Sequence, residues 1–358
     1  MTEFTYDGLP GRVAFGAGAA RTRLLGELDL LGAHRVLVIA TDAENGIATA
    51  LCAPFADRVV ATFSEVRPHV PVEVAELARK AAIEAEADVV LSVGGGSTTG
   101  TAKAVALTTG LPIVAVPTTY AGSEVTPVWG MTEGGRKTTG TDRRVLPKTV
   151  VYDPELTVSL PVELSVASGL NAVAHCVEAF WAPRRSPVSS AVAEDGIRHL
   201  VAGLNTIAAD PSAQAGRGAL LLGAYLAGSA FAVAGSGLHH KICHVLGGAF
   251  DLPHAQTHAI VLPHVLAYNL PNAEEAADRI ARALGRTDIV EALRELGDGL
   301  GAGGGLRELG MDESGIDDVI EDIAAIAPAD NPTPVTAQGL QAILHGAWAG
   351  SDPTGSTR

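Results

Sequence analysis

The chain has 358 residues, enough for two hydrophobic cores, because single cores rarely grow past about 250 to 300 residues. Its 47% hydrophobic and 18% charged residues exclude a disordered chain, and the 4% aromatic content leaves aliphatic side chains to fill the interior. With 25 Lys and Arg against 40 Asp and Glu it is acidic, which argues against nucleic acid or an anionic membrane surface as a partner, since both select a basic face.

The opening Met-Thr-Glu-Phe-Thr-Tyr-Asp lacks the basic and apolar regions of a signal peptide, so export is not expected. Cys52, Cys176 and Cys243 are scattered and show no CxxC spacing, which suits reduced thiols in the cytoplasm. Residues 35–40, 88–93 and 112–116 are nearly continuous apolar runs of the kind that forms buried parallel strands. Between them, 72–87 has helical spacing. This βαβ alternation predicts an α/β domain with a Rossmann-like parallel sheet over residues 1–157.

Past Asp153-Pro154-Glu155-Leu156 the character changes to long Ala, Leu, Gly and His segments, which predict an all-α substrate domain over 158–350 and a flexible tail at 351–358. Helices are expected at 162–180, 188–208, 213–234, 238–246, 257–268, 273–284 and 288–300, with loops at 301–305 and 327–334. The uncharged stretch 218–239 approaches the length of a membrane span. It is rich in Gly, Ala and Ser, however, so a buried central helix is the expectation.

The strand ending at Val93 runs into Gly94-Gly95-Gly96-Ser97-Thr98-Thr99-Gly100 and then a helix-like segment. Glycines there let the backbone approach a diphosphate, and N–H groups opening the next helix bind its charge. The pattern is neither GxGxxG nor a P-loop, so it does not name the ligand by itself. After the next strand, Thr118, Thr119, Tyr120 and Ser123 lie where open α/β sheets bind ligands, although the same residues also read as a capped helix start. Asp42, just past 36–40, is a candidate acceptor for a ribose diol and would repel a 2′-phosphate; it also fits an ordinary surface turn. Arg136, Lys137, Arg143, Arg144 and Lys148 form a basic run, either a solvated hairpin or an anion contact, with Lys137 the candidate cofactor ligand.

Asn171 with His175, and His240 with His244, are each four apart and so project from one helix face; His254 follows as a loop residue. The spacing is that of a metal-ligand set, but an amide stands where a carboxylate would be expected, and a neutral carbonyl oxygen binds transition metals far more weakly. Lys241 points about 100° away from His240. His239, His258 and His264 do not match the pattern and are read as structural.

GGGSTTGTAK, PTTYAGSEVTP and HKICH…PHAQTHAIVLPHV together resemble the iron-containing alcohol dehydrogenase superfamily, from about Gly11 to Trp348. Within it, the segments Arg143 to Pro147, Tyr152 to Leu156 and Ser168 to His175 are similar to the maleylacetate reductase branch. The resemblance implies a dehydroquinate synthase-like architecture, NADH or NADPH as cofactor, and reduction of maleylacetate to 3-oxoadipate in aromatic-compound catabolism. It also implies a homodimer and a small dicarboxylate substrate. The metal ligands of metal-dependent relatives fall on Asn171, His175, His240 and His254, and a further Asp of theirs on Gly100, so no metal is expected. His244 corresponds to a histidine near the nicotinamide. The alternative is a metal-dependent (Fe or Zn) alcohol or polyol dehydrogenase; a lyase using NAD transiently and a non-enzymatic dinucleotide binder remain open.

Reduction of an enone places its negative charge on an enolate, which hydrogen-bond donors can hold without a Lewis acid. His175, His240, His244 and His254 are therefore expected to line the pocket, some protonated to hold two carboxylates. Asn171 would donate through its amide, and Tyr120 would donate to substrate or stack on the nicotinamide.

Overall fold

The computed structural model describes residues 4–9, 11–134 and 136–353. It divides into an α/β unit, Leu9–Leu160 with Ser212–Leu221, and a helical unit built mainly from Pro161–Pro211 and the residues after Leu221. The division lies a few residues beyond the expected one at 157, and the start of a later helix joins the first unit. From 354 on, the expected tail lies outside the described residues.

In the α/β unit the strands are β1 (Arg12–Phe15), β2 (Val36–Ile39), β3 (Val59–Phe63), β4 (Val89–Gly94), β5 (Ile113–Pro117), β6 (Val128–Glu133), β7 (Arg136–Thr141) and β8 (Thr149–Tyr152). Helices α1 (Ala19–Leu30), α2 (Asn45–Cys52), α3 (Val72–Glu84) and α4 (Gly96–Thr109) connect them. Six strands form one sheet in the order β1-β8-β5-β4-β2-β3, every pair parallel, and β6 and β7 make a separate antiparallel hairpin. Alternation along β2 explains its unbroken apolar sequence. Val36 and Val38 pack with Leu24, Leu28, Ala48 and Leu51 of α1 and α2, while Leu37 and Ile39 pack with Val74, Ala78, Ala102 and Val105 of α3 and α4.

The register fixes where ligands meet the sheet. Gly94 of β4 pairs with Pro117 of β5, so the loops leaving these two strands emerge side by side. The chain passes from β2 to β3 on one side and from β4 to β5 on the other, so a topological switch point lies between the carboxyl ends of β2 and β4. Open α/β sheets bind their ligands at such a crevice.

The remaining helices are α5 (Val162–Ala179), α6 (Pro187–Ala209), α7 (Gln214–Ala234), α8 (Leu238–Phe250), α9 (His254–Asn269), α10 (Glu274–Leu284), α11 (Ile289–Gly299), α12 (Gly315–Ile326) and α13 (Ala337–Ala349). α5 is central: every residue from Ser165 to Ala179 is buried. α12 and α13 lie beyond the expected set, although Ile316, Val319, Ile320 and Ile323 of α12 repeat at helical spacing and pack into the core with Leu340, Ile343 and Leu344 of α13. α9 begins at His254 instead of three residues later, so His254 opens a helix and is not a loop residue. Among the described residues α7 alone is long and apolar enough to cross a membrane, and 56% of its most apolar window is buried within the fold.

Small residues let these helices approach closely. A Cβ on Gly223 of α7 would lie 2.6 Å from Leu200 Cγ and 2.9 Å from the Leu200 backbone nitrogen of α6. Alanine gains about 1 kcal/mol of helix propensity over glycine, but overpacking typically costs about 1–3 kcal/mol, and a backbone atom cannot rotate aside. Gly223→Ala is therefore expected to lower stability in urea denaturation; unchanged or higher stability would show that the α6–α7 contact can open freely.

Candidate active site

At the switch point the glycine loop opens α4. Gly95, the N-cap, provides no side-chain cap, which leaves the first-turn N–H groups available to an anion. Ser97 is half-buried and Thr98 buried. A Cβ on Gly95 would meet Thr119 Cγ2 at 2.9 Å and one on Gly96 would meet Ala121 Cβ at 3.3 Å, so these glycines also let the two ligand-facing loops touch. Gly94 has φ +154°, and a Cβ there would collide with Thr98 Oγ1 and lie 2.5 Å from Glu44 Oε2.

Glu44 is a second acidic group at this crevice, one the sequence reading did not single out. Asp42, chosen for the ribose, is exposed two residues earlier. Glu44 accepts from the Thr118 hydroxyl at 2.7 Å through Oε1 and from the Thr41 hydroxyl at 2.8 Å through Oε2. Its carboxylate thus stands between the ends of β2 and β4. The available signal was an acid shortly after β2; distance along the chain did not tell which acid turns inward.

The second loop is held from beneath. Lys103 of α4 is fully buried, and its ammonium donates to both Ser123 oxygens at 2.6 and 3.2 Å, to both Thr126 oxygens at 2.9 and 3.0 Å and to Val128 O at 2.7 Å. Burial pulls its pKa down to about 7. Ser123 therefore serves Lys103. Tyr120 is a correction: it is fully buried and its hydroxyl accepts from Arg217 Nη1 at 3.2 Å, so it packs within the α/β unit and does not present itself to substrate or nicotinamide. Lys137 lies half-buried on β7, its Cε against Gly130, and burial lowers its pKa.

In the helical unit, α5, α8 and α9 bring His175, His240, His244 and His254 into one cluster, and Asn171 lies one turn before His175 on the same face of α5. The His175 and His240 rings stack at 4.9 Å, with Phe231 4.7 and 4.5 Å from them. His244 meets His240 edge-on at 6.0 Å and stacks with His254 at 6.5 Å. Asn171, His175 and His240 are buried, His244 is half-buried and His254 exposed. Asn171 Oδ1, His175 Nδ1 and His240 Nε2 are buried without a hydrogen-bond partner, which is uncommon unless a ligand completes them.

Two histidines read as structural belong to this cluster. His258 lies 4.3 Å from His254, and His239 Nε2 is 2.9 Å from His258 Nδ1. Glu178 was missed altogether, although it lies one turn beyond His175 on the same face of α5. It is fully buried, with Oε2 2.5 Å from His240 Nδ1. Burial raises the pKa of Glu178 to about 7. Burial also holds His175 down to about 4 and lowers His240 strongly, with the neighbouring histidines adding to the effect on His240. Desolvation thus opposes the expected cationic form of the imidazoles at these two positions.

Residues 10–154 match the family model for iron-containing alcohol dehydrogenase, and 165–348 match the C-terminal model of the Fe-containing alcohol dehydrogenase family. The chain belongs to the iron-containing alcohol dehydrogenase family. A maleylacetate reductase of Sphingobium indicum is 50% identical over 98% of this chain and 99% of its own length, and one of Burkholderia cepacia is 44% identical over 99% and 100%. The crystal structure of an iron-containing alcohol dehydrogenase from Corynebacterium glutamicum superposes with TM-score 0.95 at 50% identity, covering 99% of both chains. That of a maleylacetate reductase from Agrobacterium tumefaciens gives 0.92 at 40% identity, covering 99% of this chain and 100% of its own.

The family's name implies iron, and the residues fit it poorly. The aligned set offers an amide oxygen and three imidazoles, with no anionic donor, and His175 and His240 meet by ring faces instead of converging nitrogens. Among the described residues, the His, Cys, Asp and Glu ligand atoms that gather within 4.8 Å belong instead to His239, His240 and His258.

Two outcomes follow for the site. Gly94→Ala is expected to weaken binding of a dinucleotide by about tenfold or more, about 1.4 kcal/mol, in a fluorescence titration; unchanged affinity would remove the glycine loop from the site. His175, at about 4 when folded against an ordinary value of about 6.5, takes up a proton in the unfolded chain first as pH falls. The stability its neutral ring contributes is full above about pH 6.5 and is lost as pH falls toward about 4, so His175→Gln should flatten the decline in melting temperature across that window.

Proposed function

We propose that this chain reduces the carbon–carbon double bond of maleylacetate to give 3-oxoadipate, with a reduced nicotinamide dinucleotide and no metal. The carrying observation is the buried set of polar groups on Asn171, His175 and His240 that no protein partner completes, which leaves room for a polar substrate and brings no anionic ligand to a metal dication. Full-length identity to maleylacetate reductases supports the same reading.

The nicotinamide, when bound, supplies a hydride to the alkene carbon β to the ketone. Negative charge then moves to the ketone oxygen, where the Asn171 amide N–H and an N–H of the neutral His175 ring donate to it. A proton added to the neighbouring carbon completes the reduction. His244 and His254, the more open members of the cluster, are assigned to the substrate's carboxylates. The loop N–H groups at 95–98 with Thr118 and Thr119 hold the diphosphate, and Glu44 accepts from the ribose. A carboxylate there repels a 2′-phosphate, which favours NADH over NADPH. The expected setting is a cytoplasmic homodimer acting on a small dicarboxylate.

The assay is NADH oxidation with maleylacetate on chelator-treated protein analysed for residual metal. Full turnover without iron or zinc is expected; activity that returns only with stoichiometric metal would favour the metal-dependent dehydrogenase instead. His240→Ala and His244→Ala should each lower kcat by about 100-fold or more, the usual scale for lost acid–base or donor groups. Losses within about threefold would overturn their assignment.

A further inference from the structure

We infer that Glu178 is a positioning residue that dictates which nitrogen of His240 faces the substrate; the inference deepens the reduction proposed above and rests on it. Nothing in the family's ligand pattern calls for this carboxylate. Its position follows from the start of α8. That helix opens at Gly237, which has no side chain to cap it, and the exposed N–H groups are met instead by Glu178 from α5. Oε2 accepts from Gly237 N at 2.9 Å and Oε1 accepts from His239 N at 2.6 Å. A Cβ on residue 237 would lie 2.6 Å from Glu178 Oε1, so glycine is what lets the carboxylate come this close. The positive end of the helix dipole favours an anion at the same place.

With both oxygens anchored to backbone, His240 has to adapt to them. Its Nδ1 lies 2.5 Å from Oε2, a contact that holds a hydrogen between nitrogen and oxygen. Stacking on His175 and contact with Phe231 keep the ring from turning over. Nε2 is consequently the one ring nitrogen left to act elsewhere, and it is buried with no partner. The hydrogen bond made by one imidazole nitrogen sets the role of the other. Glu178 thus leaves Nε2 for the substrate, on a ring stacked against His175, whose own Nδ1 is also unpartnered.

Glu178→Gln tests this with little change of shape. The glutamine oxygen can still accept from one backbone N–H, but an amide N–H facing Nδ1 demands a lone pair there and moves the ring hydrogen to Nε2. Full-length protein labelled with 15N-histidine is compared by long-range 1H–15N correlation, with His240→Asn assigning the resonances, alongside kcat and KM for NADH oxidation by maleylacetate. The wild-type His240 should carry its hydrogen on Nδ1 and the variant should not. kcat should fall by about 10- to 100-fold with KM within about threefold, and Glu178→Asp should recover part of the loss. Equal kcat in Glu178→Gln, or a wild-type His240 with no hydrogen on Nδ1, overturns the inference. If Glu178→Gln does not fold, the wild-type resonance and Glu178→Asp decide. A wild-type protein inert toward maleylacetate refutes the proposed reaction, while the resonance still tests the placement of His240.

Discussion

A carboxylate laid across the first turn of a helix that begins at glycine organises the helical unit. Glu178 meets Gly237 N and His239 N of α8 while standing on the fully buried face of α5. Removing these N–H groups from water without a partner would cost about 1–3 kcal/mol each, so the contact determines how α8 begins and therefore where His239 and His240 project. The α/β unit uses the same device without chemistry attached: Asp153 accepts from Gly18 N at 3.0 Å and from Ala20 N at 3.1 Å at the start of α1. The comparison separates structural from functional work. Both carboxylates cap a helix, and only Glu178 also engages an imidazole.

Lys103 has the corresponding part beneath the second loop. Its ammonium is enclosed by five oxygens from Ser123, Thr126 and Val128, among which its three N–H donors are shared. This ties residues 123–128 to α4, the helix whose first turn is assigned to the diphosphate. Phosphate binding and loop geometry are thereby mechanically linked through one helix. The same arrangement explains why polar residues in the GGGSTTGTAK and PTTYAGSEVTP segments recur at short intervals: several face one another and not a ligand.

The parallel sheet was legible because strands covered on both faces read as unbroken apolar runs, as in β2, β4 and β5. β1 and β3 carried weaker signals, being short strands at the two edges. The pairs Asn171/His175 and His240/His244 were legible because helical periodicity converts spacing into a shared face. Glu178, His239 and His258 were not, since their roles arise from packing between helices distant in sequence. Tyr120 misled for a related reason: a tyrosine at the carboxyl end of a strand is well placed to contact ligand, and only its engagement by Arg217 reveals that it turns inward. Glu44 and Asp42 differ in the same way, by direction of the side chain and not by position along the chain.

The amide of Asn171 follows from the presence of Glu178. Within one buried cluster, a cation at the family's ligand positions would compensate a carboxylate at position 171 and leave Glu178 to orient His240. Without that cation, a carboxylate at position 171 would make, with Glu178, two buried acids among imidazoles that desolvation holds neutral, and an uncompensated buried charge is strongly destabilising. Asparagine preserves shape and hydrogen-bonding capacity while removing the charge. The surviving carboxylate is the one whose oxygens are satisfied by helix N–H groups, which is where a buried acid is best tolerated. On the metal-free reading proposed above, Asn171 and Glu178 are parts of one electrostatic solution that keeps the family's helix geometry without a metal's charge.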